Sequence, residues 1–442
     1  MSTHRTAPLA TPGMPPGIPY IIGNEVAERF SFYGMRSILT IFMTSHLLMQ
    51  EGTATEWFHL FVLAVYFTPL LGAILADRWL GKFRTIMTLS VVYCLGHLAL
   101  ALDDSRNGLL LGLGLIAVGS GGIKGCVSAH VGDQFGASNA RLLPRIYSWF
   151  YFSINLGSAV ATVLIPVILA KWGPHWAFGI PGVLMALATI LFWIGRNDYA
   201  HIPPRGKAVW RETFSPEGLR AVGRMAVIFV FVAAFWALFD QTGSRWVIQG
   251  AKMDRTLFGF TLNASSLQAA NPLMVMALIP LCSFVIYPWL HRVWGLTPLR
   301  KIGLGFFIAV PSFLIPAWIE SQITAGGTPS ILWQVAAYFF ITLAEVMISI
   351  TALEFSYTQA PKSGKSLMLG LNYASVSLGN GFTFLVNVFG ASRLEGPAYF
   401  LFFAGIMALA AVVFVVVAMR FQPRDILQDE VVAEELPKSG LT

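Results

Sequence analysis

Four charged residues lie close together within an apolar stretch near the start of the chain, and their spacing places them on one face of a helix. These residues are Glu25, Glu28, Arg29 and Arg36. At about 100° per residue they fall within a stripe roughly 100° wide. A charged side chain in the middle of a membrane costs about 2.5–3.5 kcal/mol. A stripe of this kind must face a polar cavity or pair with other charges, and in a cavity it can bind charged ligands or carry protons.

Three more ionisable residues, Lys124, Asp240 and Glu345, interrupt apolar runs further along the chain. The predicted helix directions put Lys124 at a depth similar to that of Arg29, and Glu345 near mid-depth in the second half of the chain. The predicted cavity therefore has a cationic wall on one side and an anionic point on the other. This polarity suits a small zwitterion with a separated amine and carboxylate. A structural ion-pair network that only joins helices is the alternative.

A second candidate pair is predicted near the outer side of the membrane. His59 lies at the outer end of the second apolar run, and Asp240 lies in the outer half of the seventh. They belong to opposite halves of the chain and are expected to meet when the outer side closes. A histidine beside a carboxylate titrates near neutral pH, which suits a proton site. An interfacial histidine that only reaches water is the alternative for His59.

The composition indicates that most of the chain lies in a membrane. Of 442 residues, 56% are hydrophobic and 12% are charged, whereas soluble domains average about 25% charged residues. An ordinary soluble enzyme and a disordered protein are excluded. The net charge of +7 is spread over short loops, so we expect no nucleic-acid partner. The three cysteines lie inside apolar runs and are interpreted as core residues.

Twelve apolar runs are long enough to cross a membrane, and they divide into two sets of six. The basic loop at 77–84 resembles the basic loop at 291–301, about half a chain later. Lys and Arg are concentrated on the side of both termini, which predicts that both termini are cytoplasmic. We expect an N-terminal bundle over 1–195, a linker over 196–220, a C-terminal bundle over 221–419 and a polar tail over 420–442. The predicted spans are 20–47, 57–76, 85–102, 107–131, 145–170, 175–195, 221–247, 270–290, 299–319, 330–356, 366–391 and 396–419.

Several motifs resemble those of one transporter family. The segment Glu25-Val-Ala-Glu28-Arg29-Phe30-Ser31-Phe32-Tyr33-Gly34 resembles the ExxERFxYYG motif of the proton-dependent oligopeptide transporter (POT/PTR2) family, with Phe32 in place of the first Tyr. The segments 72–81, 121–124 and 150–158 are similar to further signatures of that family. The resemblance implies an all-α membrane protein with the major facilitator fold, whose twelve transmembrane helices form two six-helix halves.

The resemblance also implies roles for individual residues. Arg36 and Lys124 would hold a peptide carboxylate. Glu345 and Asn155 would hold the peptide amine, with Asn271 as a further candidate. The remaining implied residues are Tyr33 and Tyr66, which would line the pocket, and Glu25, Glu28, Arg29, His59 and Asp240, which would carry or gate the proton.

The function implied by these features is proton-coupled symport of di- and tripeptides by alternating access. We expect a monomer in a plasma membrane or bacterial inner membrane, no enzyme activity, and no cofactor or metal, because the proton gradient supplies the driving force. A proton-coupled importer of another small anion, such as nitrate or an organic acid, and a peptide sensor that does not transport remain alternatives.

Overall fold

The computed structural model describes residues 4–421, apart from residues 137, 205, 207–214, 258, 360–364 and 391–393. Nine of the 25 residues of the predicted linker at 196–220 lie outside the described residues, as do all but the first two residues of the predicted tail at 420–442. The boundaries of the two predicted bundles remain a prediction.

The part of the chain that the structure describes is built from long helices and a short hairpin, in which Thr256–Leu257 (β1) pairs antiparallel with Phe260–Thr261 (β2). Among the described residues, ten helical stretches are long and apolar enough to cross a membrane, so the chain is a multi-pass membrane protein. The two other predicted spans correspond to α1, which carries the four charged residues, and to α14. The helices are α1 (Ile18–Ile41), α2 (Glu51–Leu75), α3 (Lys82–Leu102), α4 (Arg106–Gly132), α5 (Leu143–Trp172), α6 (Pro174–Ile194), α7 (Pro216–Phe239), α8 (Arg245–Ala251), α9 (Ala270–Leu281), α10 (Tyr287–Trp294), α11 (Pro298–Ala309), α12 (Pro311–Thr324), α13 (Leu332–Gln359), α14 (Lys365–Gly390) and α15 (Pro397–Arg420).

Two large hydrophobic cores hold the helices together. One core contains buried side chains between Ile18 and Tyr199, and the other contains buried side chains between Met225 and Phe414. Between the two groups of helices, α2 packs against α14 and α5 packs against α9. We use the name distal face for the membrane face opposite the first residue of α1 and the last residue of α15.

The seventh predicted span, 221–247, is not one continuous helix. The helix α7 ends at Phe239, a 3₁₀ turn covers Asp240–Gly243, and α8 begins at Arg245. A Cβ atom at Gly243 would lie 2.5 Å from Cζ of Phe58 on α2, so the glycine permits this turn to approach the other half closely. The turn frees backbone carbonyl groups in the membrane interior, where polar groups must find partners within the protein.

Glycines also bring helices of the first half into direct backbone contact. A Cβ atom at Gly119 on α4 would lie 2.6 Å from the backbone nitrogen of Tyr93 and 2.7 Å from the carbonyl oxygen of Leu89, both on α3. At Gly114, five residues earlier on α4, a Cβ atom would meet open space, with no neighbouring atom within 4 Å. Small residues of this kind let membrane helices pack closely.

These two glycines provide a matched test of the helix packing. We expect Gly119→Ala to lower the apparent Tm of the purified protein in detergent, because overpacking costs about 1–3 kcal/mol. We expect Gly114→Ala to leave the Tm unchanged or to raise it slightly, because alanine favours a helix by about 1 kcal/mol. Equal Tm values for the two variants would show that the α3–α4 contact is looser than described.

Candidate functional site

The charged stripe of α1 forms a buried network within the first half of the protein. Nε of Arg29 lies 2.6 Å from Oε1 of Glu25 and 3.3 Å from Oε2 of Glu28. Nζ of Lys124 on α4 lies 3.9 Å from Oε1 of Glu28, and the hydroxyl group of Ser120 donates a hydrogen bond of 3.1 Å to the same oxygen. Two carboxylates and two cations therefore share one site inside the bundle.

Lys124 is the member of this network that can accept a new partner. Its side chain is buried, and its ammonium group has no hydrogen-bond acceptor among the described residues. Nζ lies 3.9 Å from the ring centre of Phe32 and 6.0 Å from that of Tyr66, so aromatic faces hold it in place by cation–π contacts. A buried cation without an acceptor provides a strong local attraction for an anionic ligand group.

The second part of the site joins the two halves of the protein. Nη2 of Arg36 on α1 donates a hydrogen bond of 2.5 Å to Oδ1 of Asp240 in the turn after α7. The amide of Asn380 on α14 donates a hydrogen bond of 2.7 Å to Oδ2 of Asp240. Oδ1 of Asn380 lies 2.7 Å from Nδ1 of His59 on α2, and Nε2 of His59 lies 3.0 Å from Oγ of Ser244.

The predicted direct contact between His59 and Asp240 is wrong for this conformation. Asn380 lies between them and bonds to both, because an amide group has a donor and an acceptor on one side chain. Asn380 is not among the site residues predicted from the sequence. Its signal was present, because Asn380, Thr383 and Asn387 recur at helical spacing within the apolar span 366–391, and all three are buried.

Further contacts close the distal side of this interface. The hydroxyl group of Thr40 donates to the carbonyl oxygen of Gly243 at 2.6 Å, and the amide of Gln268 donates to the carbonyl oxygen of Ser37 at 3.0 Å. At the rim, Nζ of Lys252 lies 2.7 Å from Oε1 of Glu51. The two halves are therefore held together on the distal side of Arg36.

The remaining candidate residues are only partly brought together. The amide of Asn271 on α9 donates a hydrogen bond of 2.6 Å to Oε2 of Glu345 on α13, so these two side chains form one unit. The amide of Asn155 donates instead to the carbonyl oxygen of Tyr151 on its own helix. Tyr33 packs its ring against Phe32, and Tyr66 lies 6.2 Å from Tyr373 between ring centres.

Comparisons with known proteins identify the fold and the family of the chain. Two solved structures superpose on nearly the whole chain. An auto-inhibited POT family peptide transporter is 36% identical with a TM-score of 0.86, and the match covers 94% of this chain and 99% of that chain. The POT family transporter PepTSo is 36% identical with a TM-score of 0.85, and the match covers 92% of this chain and 98% of that chain. The fold is that of a major facilitator transporter. The model of the POT family, PTR2, matches residues 83–215 and 209–392. The chain belongs to the POT family.

Two animal proteins illustrate the similarity in sequence. Peptide transporter family 1 of Drosophila melanogaster is 36% identical over 356 residues, which make up 70% of this chain and 48% of that protein. Solute carrier family 15 member 2 of Mus musculus is 36% identical over 387 residues, which make up 76% of this chain and 53% of that protein. The chain spans about half the length of these relatives.

The contact between Arg36 and Asp240 can be tested as the interaction that keeps the distal side closed. Spin labels at the exposed positions Leu48 and Phe260 would report the distance between the halves by pulsed electron paramagnetic resonance. We expect Asp240→Asn to add a longer distance, because it leaves a buried cation uncompensated, at a cost of about 3–5 kcal/mol.

The control is Lys252→Ala, which removes an ion pair between the same halves at the exposed rim. Exposed pairs contribute about 0–1 kcal/mol, so this variant should keep the parent distance distribution. A distribution that Asp240→Asn leaves unchanged would contradict the role of the buried pair.

Proposed function

We propose that the chain is a proton-coupled symporter of di- and tripeptides that works by alternating access between two six-helix halves. The observation that carries the proposal is a buried charge network in the first half, in which Lys124 has an ion partner but no hydrogen-bond acceptor among the described residues. The other half contributes a carboxylate, Glu345, which accepts a hydrogen bond from Asn271. In this proposal the carboxylate of a zwitterion binds Lys124 and its amine binds Glu345. We further propose that both termini are cytoplasmic, so the distal face is extracellular.

Coupling follows from the position of Glu28. This carboxylate is neutralised by Arg29 and Lys124 when the site is empty. A peptide carboxylate that binds Lys124 withdraws one of these cations, and a proton on Glu28 then replaces the lost compensation, because an uncompensated charge inside a membrane is costly. Peptide binding and proton binding therefore strengthen each other, and the coupling free energy is the same in both directions.

The second network supplies the gate. Arg36 is bound to Asp240 while the distal side is closed, and Asn380 links the same carboxylate to His59. A proton on His59 or Asp240 rearranges these hydrogen bonds and weakens the attachment of Arg36 to the second half. Arg36 is then free to bind the peptide carboxylate together with Lys124. The proton thus favours the state that admits substrate from the distal side.

The driving force is sufficient for accumulation. One proton that crosses a potential of about 100 mV gains about 2.3 kcal/mol, and one pH unit adds about 1.4 kcal/mol. The sum could sustain a peptide gradient of roughly 500-fold, because each 1.4 kcal/mol is a factor of ten. No cofactor is required in this scheme, and no catalytic step is involved.

The direct test of the function is uptake of a radiolabelled dipeptide by liposomes that contain the purified protein. We expect accumulation when the outside is acidified and loss of accumulation when an uncoupler is added. Excess unlabelled dipeptide should compete, whereas nitrate and small organic acids should not. Competition by those anions alone would favour the importer of another anion, and binding without uptake would favour the sensor.

The role of Glu28 predicts a separation of two transport modes. Glu28→Gln should abolish accumulation driven by a pH gradient but retain exchange of labelled for unlabelled peptide, because exchange needs no net proton movement. The matched control is Glu51→Gln, the same change at the exposed rim, which should retain both modes. Uphill uptake by Glu28→Gln at the parent rate would contradict the proposed role.

The role of Lys124 predicts selectivity for the peptide terminus. Lys124→Ala should weaken inhibition by a dipeptide at least tenfold, because hydrogen bonds to charged groups contribute about 1.5–3 kcal/mol. A dipeptide amide, which lacks the carboxylate, should bind the parent and the variant equally weakly. Lys171→Ala, which changes an exposed lysine, serves as the control. If Lys124→Ala weakened inhibition by the dipeptide and by its amide equally, the peptide carboxylate would not bind at Lys124.

A further inference from the structure

The basic loops at 77–84 and 291–301 differ in whether acidic side chains neutralise their charge. In the first half, Nζ of Lys82 lies 2.8 and 2.7 Å from the two carboxylate oxygens of Asp133. In the second half, the loop from His291 to Lys301 contains four basic side chains, and the sequence has no Asp or Glu between Asp254 and Glu320. Within the described part of the chain, none of these four side chains forms an ion pair.

The uncompensated charge borders an apolar crevice. A cavity of about 500 Å³ lies between α9 and α10 on one side and α13 on the other, with the start of α11 at one end. Its walls are mainly apolar, and Lys301 and His291 lie at its edge. Nζ of Lys301 is 4.6 Å from the ring centre of Tyr287, which also lines the crevice. The apolar walls include Ile279, Leu296, Val346 and Ile350.

Neither Glu345 nor Asn271 is among the residues that line the crevice. On α13, Ile350 is five residues from Glu345, so it lies about 140° around the helix from the carboxylate that pairs with Asn271. Arg300 is also engaged elsewhere, because Nη1 donates to the carbonyl oxygens of Trp294 and Gly295 and so fixes the loop. Among the described residues that line the crevice, Lys301 is therefore the cation available to a new partner.

The surroundings place the crevice at the edge of a membrane. The stretch from Ala264 to Trp294 is the least buried of the ten candidate spans, with 17% of its most apolar window buried inside the protein. Trp289 and Trp294 are exposed on α10 at the level of the basic loop. Tryptophan and basic residues at one level are typical of the boundary between the bilayer core and the headgroups.

We propose that this crevice binds an anionic phospholipid from the leaflet on the side of the chain termini. The phosphate headgroup lies at Lys301 and His291, and one acyl chain follows the apolar wall formed by Ile279, Val346 and Ile350. Charge complementarity favours an anionic lipid over a zwitterionic one. The cationic group of a zwitterionic headgroup would need an acidic partner, and the loop from His291 to Lys301 contains no acidic residue. Basic pockets between membrane helices bind lipid headgroups in this manner.

The test is native mass spectrometry of the full-length protein in detergent, titrated with dioleoyl phosphatidylglycerol or dioleoyl phosphatidylcholine. Lys301→Gln should weaken phosphatidylglycerol binding about fivefold, since one basic residue near a membrane surface contributes about 1 kcal/mol, and should leave phosphatidylcholine unchanged. Lys171→Gln, the same change at an exposed lysine on the distal side, should behave like the parent. Lys301→Arg should restore binding, which excludes misfolding as the cause.

A second pair of variants tests the acyl chain. Ile350→Trp fills the crevice without changing its charge and should weaken binding of both lipids, whereas Ile190→Trp, at an exposed position on α6, should not. Glycerol 1-phosphate should fail to displace the lipid. Equal phosphatidylglycerol binding by Lys301→Gln and Lys171→Gln would overturn the proposal. Displacement by glycerol 1-phosphate would also overturn it, because the site would then hold a soluble phosphate.

Discussion

Arg36 is a buried cation on the first half of the protein, and the carboxylate that it contacts, Asp240, belongs to the second half. In a membrane interior an unpaired charge is so unfavourable that each half constrains the other. The break in the helix at Asp240–Gly243, the closed distal interface and the position of Asn380 are all consistent with this one requirement. When this interface opens, the positive charge of Arg36 needs another partner in place of Asp240. The carboxylate of a ligand can be that partner.

The helix α1 connects this gate to the second charge network. Glu28 and Arg36 are eight residues apart, or about 12 Å along the helix, and each bonds to a different set of neighbours. Glu28 contacts Lys124 and Ser120 within its own half, whereas Arg36 contacts the other half. A ligand or proton that changes one network acts on the same rigid helix that forms the other. This arrangement is a physical basis for coupling two binding events without direct contact between them.

The sequence predicted the long helical spans and the charged stripe, because the cost of charge in a membrane makes both visible as periodic patterns. It did not predict that Arg36 pairs with Asp240. Arg36 and Lys124 were predicted to act together, yet Arg36 bonds to Asp240 in this conformation, and Asn380 separates His59 from Asp240. Pairings between halves depend on the conformation and on helix rotation. A small change in helix rotation alters a hydrogen bond but leaves the hydrophobic pattern unchanged.

The proposed coupling of peptide and proton movements through the buried charges is tested most directly by a reversal measurement. Liposomes that contain the protein are loaded with a labelled dipeptide, clamped at zero membrane potential, and given a fixed tenfold proton gradient. The peptide gradient at which net flux stops is then measured. Coupled symport predicts that flux stops at a peptide gradient of tenfold, or at a higher power of ten if more than one proton moves with each peptide. A flux that stops at equal peptide concentrations on both sides would contradict the account.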